Sequence, residues 1–112
     1  MLSNNYKFLQ WNTLGKNFCD VKSFPYVDSK YLEWTYRKEL LQKKLLEIDA
    51  DLICLEEIDA FDEYKNEIIS NYYESIYYSK DNGGQGIAFF YKQNKFNLIK
   101  TPLLYLPNFI VL

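Results

Sequence analysis

The sequence predicts an α/β fold on three observations: a short N-terminal strand that ends in polar residues, a helical apolar stripe after it, and then a continuous apolar run that meets two carboxylates. The first is Tyr6 to Asn12, an aromatic and aliphatic run closed by Asn12-Thr13-Leu14-Gly15, which suits a strand opening into a loop. The second extends from about Ser29 to Ile48. Trp34, Leu41, Leu45 and Ile48 fall at i, i+7, i+11 and i+14, one face of a helix, with Asp28 or Ser29 as its cap. Arg37, the one arginine of the chain, lies on that face and so points toward the core, whereas Lys38, Lys43 and Lys44 lie off it. The third is Asp51 to Ile58, DLICLEEI, whose unbroken apolar character predicts a strand buried on both faces. A strand, helix, strand order favours parallel strands joined by a right-handed crossover. Both C-terminal ends then share one rim of the sheet, where ligand sites of such folds gather.

Further along, Phe61, Tyr64 and Ile68 predict a second, shorter helix, followed by an aromatic strand at Tyr72 to Tyr78 and a loop from Ser79 to Gly84. Ile87 to Tyr91 and Phe96 to Ile99 are separated by four residues and predict an antiparallel hairpin. After Pro102 the chain is almost wholly apolar to Leu112. A hydrophobic tail with nothing left to cover it is what a domain cut short would show, since free termini are usually polar.

Length and composition bound the rest. At 112 residues the chain fits a single domain, and 48% hydrophobic residues place it far from the disordered class. The charge, 13 − 15 = −2, supplies no net field to attract a polyanion. Abundant Lys, Asn, Ile, Tyr and Phe read as the imprint of an AT-rich gene, so the eleven tyrosines are not taken as base-stacking platforms. Cys19 and Cys54 form no CxxC, and the chain has no histidine, which argues against structural zinc. There is no basic-then-apolar signal segment and no membrane-spanning run. The expected setting is intracellular and cytoplasmic, with mitochondrion and nucleus left open and no membrane association.

Two polar residues stand where chemistry is expected: Asn12 at the mouth of the first strand and Glu57 at the mouth of the buried one. Phosphodiester hydrolysis calls for a hard cation, and magnesium takes carboxylate oxygens while keeping several waters, so one protein carboxylate suffices as its main anchor. An amide adds a neutral donor and acceptor for a phosphate oxygen. Taken singly, each has a blander reading: a strand-end Asn is usually turn chemistry, and an acidic pair after an apolar run is usually a solvated strand end. An arginine on an apolar face is more often a structural ion-pair partner than a substrate ligand.

The segments LQWNTLG, FPYVDSKYLEWTYRKELL, ADLICLEEID and GIAFFYKQNKFNLI, in this order and spacing, resemble the start of the endonuclease/exonuclease/phosphatase superfamily catalytic domain. The closest branch is that of the carbon-catabolite-repressor-type deadenylases, nocturnin and the 2′-phosphodiesterase. The resemblance implies the N-terminal portion of a two-sheet α/β sandwich of the DNase I type, incomplete within residues 1–112. It implies a magnesium-dependent 3′-5′ exoribonuclease acting on single-stranded poly(A) RNA. The alternatives within the superfamily are 2′-5′ oligoadenylate, the 2′-phosphate of NADP(H), abasic DNA, or a phosphoinositide or sphingolipid. Glu57 matches the family's magnesium-binding glutamate, and Asn12 its asparagine at the phosphate and metal site. Glu56 stands where the family usually has glutamine. The later Asp-x-Asn and Ser-Asp-His segments of such enzymes have no counterpart here, so these residues alone are expected to be inactive or nearly so. The rival from another class is a non-catalytic remnant that uses its apolar tail as an interaction surface.

Overall fold

The computed structural model describes residues 5–69, 72–79 and 85–99, together with the backbone of 105–106 and 109–110. Strand β1 (Phe8–Asn12) is followed by 3-10 turns at Lys16–Phe18 and Ser29–Tyr31, and then by helix α1 (Trp34–Ile48). Strand β2 (Leu52–Ile58) leads into a single α-turn, α2 (Phe61–Glu63), that widens into a π-turn over Tyr64–Ile68. Strands β3 (Tyr73–Ser79) and β4 (Gly86–Lys92) complete a four-stranded sheet of order β1-β2-β4-β3. A separate antiparallel pair, β5 (Tyr105–Leu106) and β6 (Phe109–Ile110), lies in the apolar tail. The predicted loop at 80–84 and the rest of the tail lie outside the described residues. No helix of the described residues is long and apolar enough to cross a membrane.

β1 and β2 are adjacent and parallel, joined through α1 as the strand, helix, strand order predicts. Their register puts one inward row at Trp11, Leu55, Ala88 and Tyr77, and a second at Leu9, Ile53, Phe90 and Ser75. α1 lays Leu41 and Leu45 on this face, with Trp34 and Ile48 partly buried beside them, which is the predicted stripe. Tyr64 and Ile68 of the π-turn close the core. The opposite face carries the row Gln10, Cys54, Phe89 and Ile76, of which Cys54, Phe89 and Ile76 are half-buried. β2 is therefore buried on one face and only half-covered on the other, which corrects the two-sided burial inferred from its apolar run.

Two further expectations are revised. Asp28 caps the 3-10 turn, accepting from Lys30 N at 3.2 Å, whereas α1 starts five residues later behind Glu33, whose side chain makes no capping bond. The hairpin of 87–91 with 96–99 does not form. β4 already pairs with β2 along one edge and β3 along the other, leaving no edge for a third strand. Residues 92–96 form a turn instead, with Lys95 N and Phe96 N both donating to the Lys92 carbonyl at 3.0 Å.

At the end of the sheet where β2 begins, Asp51 is buried and accepts from Lys7 N at 2.8 Å, from Lys95 Nζ at 2.8 Å and from Lys92 Nζ at 3.3 Å. The Lys95 ammonium, then the Lys7 amide, hold its carboxyl well below the ordinary value of 3.8. Because the folded carboxyl gives up its proton more readily than the unfolded one, its contribution is fully present above about pH 4 and is lost as the pH falls below that. Asp51→Asn should lower the melting temperature at pH 5 and flatten its decline between pH 5 and pH 2. Thermal melts across that range check this, and a decline parallel to that of the unsubstituted chain contradicts it.

Candidate active-site rim

At the opposite end of the sheet, the C-terminal ends of β1 and β2 stand side by side, and Asn12 is in register with Glu56. Leu55 and Ile58 are both fully buried, although they stand three positions apart where a regular strand brings only every second residue to one face. Opposite them, Leu55 pairs with Ala88 and Ile58 with Gly86, so Glu56 and Glu57 together face the single residue Ile87. This is a β-bulge, and its extra residue is Glu57, at φ 58°. The left-handed conformation normally belongs to glycine and costs another residue roughly 1–2 kcal/mol. The bulge takes Glu57 off the core face that pleat alternation would assign it and leaves it half-buried at the rim. Among the described residues its carboxylate has no hydrogen-bond or ion-pair partner. Glu56 differs: its carboxylate accepts from the Gln10 side-chain amide on the outer face.

Gly86, across from the bulge, has no room for a side chain: a Cβ there would meet the Tyr78 carbonyl and lie 2.8 Å from the Tyr77 ring. The Tyr77 hydroxyl in turn donates to the Ile58 carbonyl at 2.9 Å, fixing the strand just beyond the bulge.

The segment after Asn12 is held almost entirely by other elements. Thr13, buried, donates from both N (3.1 Å) and Oγ1 (3.0 Å) to the Glu56 carbonyl. Leu14 is the second non-glycine residue at φ 58°, and its N–H donates to Asn12 Oδ1 at 3.2 Å. That bond settles the amide's orientation, since a backbone N–H needs an oxygen opposite it. The Asn12 NH₂ then faces away and meets no described acceptor. Asp59, two residues past the bulge, accepts from Lys16 N at 2.7 Å and Asn17 N at 2.9 Å. Its carboxylate passes so close that a Cβ on Gly15 would lie 2.8 Å from Asp59 Oδ2.

Beneath the loop, Arg37 Nη2 donates to the Thr13 carbonyl at 2.6 Å and the Leu14 carbonyl at 2.7 Å. It forms no ion pair among the described residues, so the expected ion-pair role is replaced by a grip on backbone. Its guanidinium lies 5.6 Å from the Trp34 ring centre, with Lys16 Nζ 5.7 Å from the same ring. The Trp34 indole N–H donates to Glu63. Burial raises the Tyr64 hydroxyl pKa above its ordinary 10.0, opposed by its hydrogen bond with Thr13.

Asn12 and Glu57, the two residues singled out from sequence, thus occupy one rim, on neighbouring strands. Thr13, Asp59 and the backbone grip of Arg37 were not anticipated, because their partners are main-chain groups 23 to 43 residues away that leave no mark in sequence. The bulge did leave one: Ile53 and Leu55 alternate, and the next apolar residue is Ile58, three on. Beside the rim lies a groove of about 520 Å³ lined by Lys16, Asp59, Glu63, Tyr77 and Ser79, among others. A larger cavity of about 610 Å³ sits at the far end, near Leu45, Asp49 and Lys92, away from Asn12 and Glu57.

Residues 9–111 match the model of the Endonuclease/Exonuclease/phosphatase family. The chain belongs to that family. The CCR4-Not complex 3'-5'-exoribonuclease subunit Ccr4 of Kluyveromyces lactis is 30% identical over 112 residues, covering 88% of this chain and 14% of that protein. Its Candida albicans counterpart is 31% identical over 110 residues, covering 87% and 14%. The chain therefore spans about a seventh of the length of these relatives. Among solved structures, ANGEL2, a 2',3'-cyclic phosphatase, superposes with a TM-score of 0.73 at 26% identity, over 85% of this chain and 29% of that one. The human Nocturnin catalytic domain gives 0.61 at 24%, over 85% and 35%, a likeness of fold. The α/β sheet described above is thus part of the DNase I-like fold that the resemblance implied.

If the extra residue of β2 is held in the left-handed region, glycine should suit position 57. Glu57→Gly is expected to leave the metal-free chain as stable as before, or up to about 1 kcal/mol more stable. Denaturant melts check this, and a loss beyond about 1 kcal/mol, usual for a substituted strand residue, contradicts it.

Proposed function

We propose that this chain forms the Asn12–Glu57 wall of a magnesium-dependent phosphodiesterase of the deadenylase type. The observation that carries the reading is Glu57: a half-buried carboxylate in a strained backbone, with no partner among the described residues, next in sequence to the register partner of Asn12. Strain of this kind persists where surrounding structure enforces it and clusters at functional sites.

The residues fit a water-rich hard cation. Among the described residues there is no group of three or more His, Cys, Asp or Glu able to hold a metal, so an ion caged wholly by protein is not supported. Magnesium asks for less, one or two carboxylates with water in the remaining positions. When bound, it would neutralise the phosphate and the charge developing on its oxygens. Glu57 would anchor the ion. Asn12, its Oδ1 turned to Leu14, would present its NH₂ to a phosphate oxygen. The chain has no histidine to move a proton, and general acid–base assistance is typically worth about 10²–10⁴-fold, so by itself it should bind far better than it turns over.

The Ccr4 relatives, 3'-5'-exoribonuclease subunits by name, favour the 3′ end of an RNA as substrate, and poly(A) is the RNA that the sequence resemblance implies. ANGEL2 favours a second reading, a 2′,3′-cyclic phosphate, through its structural match. In either reading the phosphodiester would lie over the same amide and carboxylate.

Magnesium should raise the melting temperature of the chain, by an amount corresponding to about 2.7 kcal/mol at a hundred times the dissociation constant. Glu57→Ala should abolish the shift and Asn12→Ala should preserve it, since the amide serves the phosphate. No magnesium-dependent shift, or one that survives Glu57→Ala, removes the proposal. Competition by oligo(A) against adenosine 2′,3′-cyclic phosphate for the magnesium-loaded chain separates the two substrates.

A further inference from the structure

Arg37 is used by nothing in the reading above, yet it is the chain's one arginine and it ends directly beneath the candidate site. Nη2 bridges two successive carbonyls, at 2.6 and 2.7 Å, and those carbonyls belong to the two residues following Asn12. The second is Leu14, which is held at φ 58° and whose N–H orients the Asn12 amide. Nη1 is buried without a partner among the described residues, an arrangement that sets the guanidinium apart from a solvated surface arginine.

We infer that Arg37 is a positioning residue: from α1 it fixes the Thr13–Leu14 backbone so that the Asn12 amide is presented at the rim in one orientation. The inference rests on the role proposed for Asn12. A lone cation satisfying two adjacent carbonyls favours a chain conformation that brings both oxygens to one side, which suits a left-handed residue there. Free of that grip, Leu14 returns to the ordinary region of backbone space, its N–H leaves Asn12 Oδ1, and the amide turns. Lysine would supply the charge without the planar fork, so it should restore the arrangement only in part.

Nuclear magnetic resonance on the chain, first without metal, tests this. Arg37→Met keeps an apolar, unbranched side chain and removes the donors; Arg37→Lys is the conservative variant, and Lys38→Met, on the neighbouring residue, is the control. In Arg37→Met the Asn12 side-chain NH₂ resonances should move, and the Leu14 amide should exchange at least tenfold faster, while resonances of β3 and β4 stay in place. Arg37→Lys should fall between, and Lys38→Met should match the unsubstituted chain. Manganese affinity should follow the same order for phosphate-bound ion, weakening about tenfold in Arg37→Met in the presence of inorganic phosphate. Unmoved Asn12 and Leu14 signals in a folded Arg37→Met chain overturn the inference, and if that variant does not fold, unmoved signals in Arg37→Lys do so. If the unsubstituted chain binds no manganese, the proposed function fails, and the metal-free signals still decide the role of Arg37.

Discussion

One count governs the architecture of the rim: between Leu55 and Ile58, both committed to the core, β2 carries two residues where the pleat has space for one. The core decides the outcome, because each of these apolar side chains contributes on the order of 1.5–3 kcal/mol by burial, comparable to or more than the cost of one left-handed residue. Glu57 absorbs the mismatch. A carboxylate that pleat alternation would drive into an apolar layer is delivered to the edge of the sheet, without a partner among the described residues to neutralise it.

The surrounding polar groups make sense as supports for that edge. Thr13 ties β1 to the carbonyl just before the extra residue, and Asp59 gathers two backbone amides of the following loop. Arg37 takes two of its carbonyls from below. These bonds reach from α1, β2 and the turn after β2 to a single stretch of about five residues. A loop held by its own sequence neighbours would shift as solvent fluctuates; one held from three elements inherits the rigidity of the sheet. Asn12 stands at the start of that stretch, so its amide is placed by the fold as a whole.

Much of this was legible in sequence, and the parts that were not share a cause. β1, α1 and β2 follow from apolar periodicity, and the strand, helix, strand order brings Asn12 and Glu57 to one rim. The stripe of Trp34, Leu41, Leu45 and Ile48 faces the core as its spacing requires. The hairpin at 87–99 misled because strand pairing is decided by which edges are free, a property of the assembled sheet that no local pattern encodes. Arg37 misled for a related reason: its charge suggested an acidic partner, and its acceptors are main-chain carbonyls, present at every position and so invisible as a motif.

The account stands on a divalent ion being held at the lip of β2. Paramagnetic broadening by manganese on the isotopically labelled chain tests that most directly. The account predicts signal loss centred on Glu57 and its neighbours Glu56 and Asn12, with Asp49 and Asp51 at the far end of the sheet unaffected. Broadening centred on the Asp49–Asp51 end, or no localised broadening at all, would contradict it.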